Sequence, residues 1–166
     1  MADIPVYFRN RCTCVEVVDS NTLRSSCRLH DTLTDAFVEL TATLPDMEIT
    51  DIFGQVTRTY RDECREFRPD ALKKVIGVRI GAGLLKILKG LLGESNECMQ
   101  LSFMVEECCH GVILSLNKDM LMPLAKSGVE PTKELFAAMV KENIRLYNRC
   151  AAFAPGSPIV EGIEPP

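Results

Sequence analysis

The sequence predicts an α+β fold, a three- or four-stranded antiparallel sheet followed by packed helices. Three observations carry this. Apolar and polar residues alternate with a period of two through the first sixty or so positions. Apolar residues then recur at helical spacing from Pro69 onward. Between the two patterns lies a glycine-rich stretch, Gly77-Val-Arg-Ile-Gly-Ala-Gly, that belongs to neither.

The first strand begins near Cys12, with Thr13, Val15 and Val17 on one face and Cys12, Cys14 and Glu16 on the other. Asp19-Ser-Asn-Thr supplies a turn, because Asp, Asn and Ser side chains bond to nearby backbone. A second strand follows from Leu23 to His30. The third is the cleanest: Ala36, Val38, Leu40, Ala42 and Leu44 alternate with Phe37, Glu39, Thr41 and Thr43 until Pro45-Asp46 breaks the run. Met47 to Tyr60 gives a fourth strand whose phase changes near Asp51-Ile52. With Gly54 close by, that change predicts a β-bulge. Short connections make consecutive strands antiparallel neighbours, with one face wet unless something covers it.

Pro69 suits a first helical position, and Leu72, Val75 and Ile76 follow on one face until Gly77. Leu84, Leu85, Leu88, Leu91 and Leu92 mark a second helix, with Gly93 as its stop. Asn96 caps a third, which puts Glu97 and Cys98 in its first turn ahead of Leu101, Val105, Cys108, Val112 and Leu116. Residues 117–130 read as a connection. Thr132 then caps a last amphipathic helix through Leu135, Ala138, Met139 and Leu146. On this reading residues 1–154 are a single domain, and 155–166, rich in proline, form a flexible tail.

At 166 residues, 46% hydrophobic and 25% charged, the composition is that of a globular chain with a sizeable core. A formal charge of −4 argues against a general electrostatic grip on nucleic acid. No apolar run approaches the roughly 18 residues of a membrane span, and the start lacks a secretory pattern. The expectation is a cytoplasmic protein with no membrane and no nucleic-acid partner. Its eight cysteines then read as core residues, thiols or metal ligands rather than cross-links.

From Leu29 to about Leu116 the chain resembles a bacterial family catalogued as domain of unknown function 2889. The matching features are Leu29-His-Asp-Thr-Leu-Thr-Asp, Ile49-Thr-Asp, Tyr60 with Cys64, Gly77-Val-Arg-Ile-Gly-Ala-Gly, and Leu92-Gly-Glu followed by Cys98-Met-Gln-Leu. Glu97, Met99 and Gln100 depart from the family's last motif, and Gln100 stands where the family carries a histidine. The resemblance implies a fold and carries no known activity. In architecture the chain is also similar to NifU-type iron–sulfur scaffolds, which use an aspartate, cysteines and sometimes a histidine.

Cys98 is the first candidate for chemistry, since unpaired N–H groups at a helix start favour thiolate. Against this, it lies on an apolar stripe where cysteine packs as a small hydrophobe. Cys64, in Arg61-Asp-Glu-Cys-Arg-Glu, either stands in a loop or plugs the sheet–helix junction. Cys64 and Cys98 with Asp31 or Asp35 make a donor set that zinc or an iron–sulfur cluster would accept. Cys12-Thr-Cys14 and Cys108-Cys109 lack a completing pair and suit packing. Gly77 to Gly83 matches neither phosphate-loop fingerprint and reads as a tight junction, although Arg79 there offers a guanidinium to a carboxylate or phosphate of a cofactor. Two functions follow: a thiol or metal-handling protein, or a non-catalytic binding or assembly module. The second would use the sheet face or the C-terminal helix to meet a protein partner or a second copy.

Overall fold

Strand alternation becomes a four-stranded antiparallel sheet in the order β1-β2-β3-β4, each strand beside its sequence neighbour. The strands are β1 (Arg9–Asp19), β2 (Thr22–Asp31), β3 (Asp35–Thr43) and β4 (Glu48–Arg58). A 3-10 helix (Pro69–Val75) follows, then α1 (Leu84–Leu92), α2 (Met99–Ser115), α3 (Lys118–Ser127) and α4 (Lys133–Glu142). The computed structural model describes residues 6–60, 69–81, 83–92, 99–128 and 130–164. The architecture is α+β. The chain divides into two compact units, Met1–Val112 and Ile113–Pro166.

In the first unit, period-two alternation sorts side chains between the sheet faces. Leu23, Cys27 and Leu29 of β2 are buried together with Ala36, Val38, Leu40 and Ala42 of β3. The intervening Arg24, Arg28, Phe37 and Glu39 belong to the opposite, outer face. Each fully buried leucine contributes on the order of 1.5–3 kcal/mol. In β4 the register shifts opposite Thr41/Ala42, so that Ala42 faces Ile49 while Thr41 faces Asp51. Thr50 is the extra residue, and this bulge lets Ile49 and Ile52 both turn inward. Gly54 sits in regular pairing with Val38, so it is not the bulged residue.

The glycine-rich stretch begins as sheet. Gly77 N–H donates to Ile49 O (2.8 Å), Ile49 N–H to Val78 O (2.9 Å) and Ile80 N–H to Met47 O (2.9 Å). Residues 77–80 thereby cover the first residues of β4, with Arg79 bridged to Glu48. Gly77 has φ +87°, a conformation that costs other residues energy, and it turns the chain out of the 3-10 helix. Leu84, Leu88 and Leu92 form the buried stripe of α1.

Helix α2 closes the inner face. Leu101, Met104, Val105, Cys108, Cys109 and Val112 are all buried. At Gly111 the helix runs close to the sheet, since an added Cβ would lie 3.1 Å from the methyls of both Thr13 and Val15. Ser25, buried in β2, donates to Cys108 O at 2.9 Å, and Cys108 Sγ lies 3.8 Å from Val38 O.

In the second unit, Lys118–Ser127 is helical where the sequence reads as a connection, and Pro123 lies inside it. Its C-cap Gly128 is left-handed at φ 69°. Thr132 caps α4 by accepting from Leu135 N–H at 3.3 Å. The proline-rich end runs as successive turns: Val160 is buried, and its N–H donates to Ser157 O at 3.1 Å.

The same substitution at two helical glycines should have different outcomes. Gly90 in α1 has nothing near its missing Cβ, so Gly90→Ala should gain up to about 1 kcal/mol from helix propensity. Gly111→Ala meets two methyls and should lose roughly 1–3 kcal/mol to overpacking, offsetting that gain or exceeding it. Urea midpoints of the two variants, measured side by side, check the contrast.

Candidate functional site

At the end of β2 the chain must turn into β3 within three residues, and Asp31 organises that turn. Its Oδ1 accepts the N–H groups of Leu33 (2.8 Å) and Thr34 (2.6 Å). Its Oδ2 accepts Arg9 Nε (2.9 Å) and the Tyr7 hydroxyl (3.2 Å), with Arg9 Nη2 at 2.8 Å. Arg58 donates to its backbone carbonyl. The residue is 0% exposed. Burial alone would push this carboxyl up, but the donors from Arg9, Leu33, Thr34 and Tyr7 together bring it below the ordinary carboxylate range.

Beside this network a cavity of about 180 Å³ is lined by Arg9, Thr34, Tyr60, Met99, Gln100 and Phe103, among others. Gln100 supplies an amide, Arg9 an already paired guanidinium, and Met99 and Phe103 supply apolar surface. Among the described residues this lining combines polar groups with apolar faces and holds no nucleophile–base pair.

Asp35 opens β3 on the other side of the sheet. Cross-strand pairing sets it opposite His30, with its Oδ2 3.3 Å from His30 Nδ1 and its Oδ1 3.5 Å from Arg28 Nη2. The His30 contact has ion-pair distance without hydrogen-bond alignment. Alternation along β2 sends Asp31 to the buried face and His30 to the outer one, so the two aspartates point to opposite faces. They belong to different environments, and one site would take one or the other.

Cys64 and Cys98, read from sequence as thiolate ligands, lie outside the described residues. Among the described residues no group of three or more His, Cys, Asp or Glu has the arrangement of a metal site. Cys27, Cys108 and Cys109 are buried. Burial pushes the Cys27 and Cys108 thiols upward, which keeps them neutral packing groups. Arg79 lies 3.9 Å from carboxylate oxygens of both Asp46 and Glu48, so its guanidinium already stands between two anions.

The outer sheet face carries features that sequence reasoning did not assemble. Phe37 and Phe53, on β3 and β4, bring their rings to 6.4 Å between centroids, and Phe53 is 50% exposed. Ion pairs Arg24–Glu39 (3.8 Å) and Arg28–Asp35 (3.5 Å) flank them. Toward β1, a cavity of about 280 Å³ is lined by Asn10, Cys12, Arg28 and His30. The hairpin register, Cys12 opposite Arg28 and Asn10 opposite His30, places these side chains together. That register follows from the turn at Ser20-Asn21, where Asn21 N–H donates to Asp19 Oδ1 at 2.8 Å, so the turn residues were the available signal.

No family model, curated protein or solved structure matches the chain. Among the described residues no helix is long and apolar enough to cross a membrane.

Two tests follow from this geometry. Because Asp31 titrates lower when folded, its contribution is complete above the unfolded carboxyl value of about 3.9 and is lost as pH falls through the folded value below it. Asp31→Asn should cost roughly 1.5–3 kcal/mol at neutral pH and flatten the acid limb of stability against pH, read from urea midpoints. A maleimide on the native protein should modify the exposed Cys12, Cys14 and Cys150, and reach Cys27, Cys108 and Cys109 only after unfolding, as mapped by mass spectrometry.

Proposed function

We propose that the chain is a non-catalytic binding module that presents the outer face of its sheet to another protein. The observation that carries this reading is the Phe37–Phe53 pair, in which Phe53 is half open to solvent, flanked by charges already paired with each other. Protein interfaces have this anatomy, with aromatic side chains central and a polar rim around them. The alternative surface, the C-terminal helix, is less available. Met139 and Val140 of α4 are buried, and Phe136 packs against Phe153 with centroids 6.3 Å apart.

A photo-reactive phenylalanine at position 53 tests the proposal. In cells that naturally express the chain it should form one discrete protein adduct. Arg28→Glu, which puts a second acid beside Asp35, should deplete the adduct at least severalfold while the fold persists. The same probe at exposed Met122 of α3 should give no such adduct. Adducts that are diffuse and indifferent to Arg28 would overturn the reading. Stoichiometric zinc or iron on anaerobically purified protein, lost in a Cys64→Ala/Cys98→Ala variant, would replace it with the thiolate site.

A further inference from the structure

Strand β1 is an edge, and among the described residues nothing pairs with its outer side. It is eleven residues long, contains no proline or glycine, and is exposed along almost its whole length. Val17 and Val18 are 65% and 47% exposed. The opposite edge is treated differently, since residues 77–80 cover the start of β4. A long, β-branched, unpaired edge is a template for another strand.

The order of charges along β1 selects the direction of pairing. Its first half carries Arg9 and Arg11, and its second half carries Glu16 and Asp19. A parallel copy would set Arg against Arg and Glu against Glu, which is destabilising. An antiparallel copy avoids both like-charge pairs and leaves Arg9 and Arg11 with their partners Asp31 and Glu107. The strand is regular from Arg9 to Val17, beyond which the register shifts between Val17 and Asp19, so its regular part is centred on Thr13.

We infer that β1 pairs antiparallel with β1 of a second copy about a two-fold axis at Thr13, making one sheet across the dimer. In that register Arg9 lies opposite Val17, Asn10 opposite Glu16, Arg11 opposite Val15 and Cys12 opposite Cys14, each pair occurring twice. No like charges face each other. The exposed Cys12 and Cys14 acquire a place: both turn to the outer face at the centre of the interface. Residues directly opposed in an antiparallel pair have Cα atoms about 4.5–5.5 Å apart, within the range a disulfide spans. Diagonal neighbours, about 7–8 Å apart, are too far. This inference does not depend on what binds the outer face, but it would join two such faces into one surface.

The test uses the full chain and two single variants. Sedimentation of the wild type should show a monomer–dimer equilibrium. Val17→Lys should weaken it by roughly fivefold by facing Arg9 of the other copy, without unfolding a position already open to solvent. Diamide, taking two electrons and two protons from a thiol pair, should link Cys12 to Cys14 between copies. Cys12→Ser alone and Cys14→Ser alone should each fail to form a β1 link. A mixture of the two should form it through the one remaining Cys12 and the one remaining Cys14, identified as a peptide pair by mass spectrometry. A monomer at every concentration, a dimer indifferent to Val17→Lys, or a β1 link in either single variant would overturn the inference. Because the photo-crosslinking readout at position 53 is separate, failure here leaves the binding-module reading standing or falling on its own result.

Discussion

The first unit depends on how closely α2 can approach the sheet. At Gly111 the helix backbone comes to where a Cβ would touch Thr13 and Val15 at 3.1 Å. That approach allows Ser25, a buried hydroxyl, to reach Cys108 O at 2.9 Å. A buried hydroxyl without a partner costs about 1–3 kcal/mol, so the serine is tolerated only because the helix is near. Glycine, serine and cysteine thus act as a set: a missing side chain, a short polar one and a small thiol. Larger groups at any of the three would push the helix away and expose the sheet's apolar rows.

Covering one face so tightly decides what the other can be. Helix α2 buries Leu101, Met104, Val105, Cys108, Cys109 and Val112, and β2 and β3 turn their apolar parity inward. Side chains of the other parity are therefore free of packing duty. They pair among themselves, as Arg24 with Glu39 and Arg28 with Asp35 do, which leaves Phe37 and Phe53 as the apolar exception. Phe53, the more open of the two, is half exposed, and contact with a protein of the kind proposed would bury it.

The sheet was legible because alternation is a local pattern. Val38, Leu40 and Ala42 announce both a strand and its buried face, and the phase change after Ile49 announces a bulge. Its placement was harder to read: Gly54 drew attention, but the extra residue is Thr50, whose identity carries no bulge signal. Lys118–Ser127 lies in the stretch that reads as a connection, yet it is helical with Pro123 inside it. The candidate site was less legible, since it depends on which residues are opposed across strands. Asp31 and Asp35 look equivalent in the sequence, four positions apart. In the fold one anchors a turn from inside and the other meets His30 outside.

Asp31 shows why a carboxylate at a sheet end needs reading with its donors. A buried anion is costly, and this one is compensated by two backbone N–H groups, a guanidinium and a phenol. The compensation ties three segments together: Tyr7 and Arg9 at the entry to β1, the β2–β3 turn, and Arg58 at the exit of β4 through the Asp31 carbonyl. Any ligand taking Asp31 would have to displace Arg9 or open the turn, whereas one binding the outer face disturbs neither. The buried acid therefore anchors the start of β1, while the turn at Ser20-Asn21 sets the register along it.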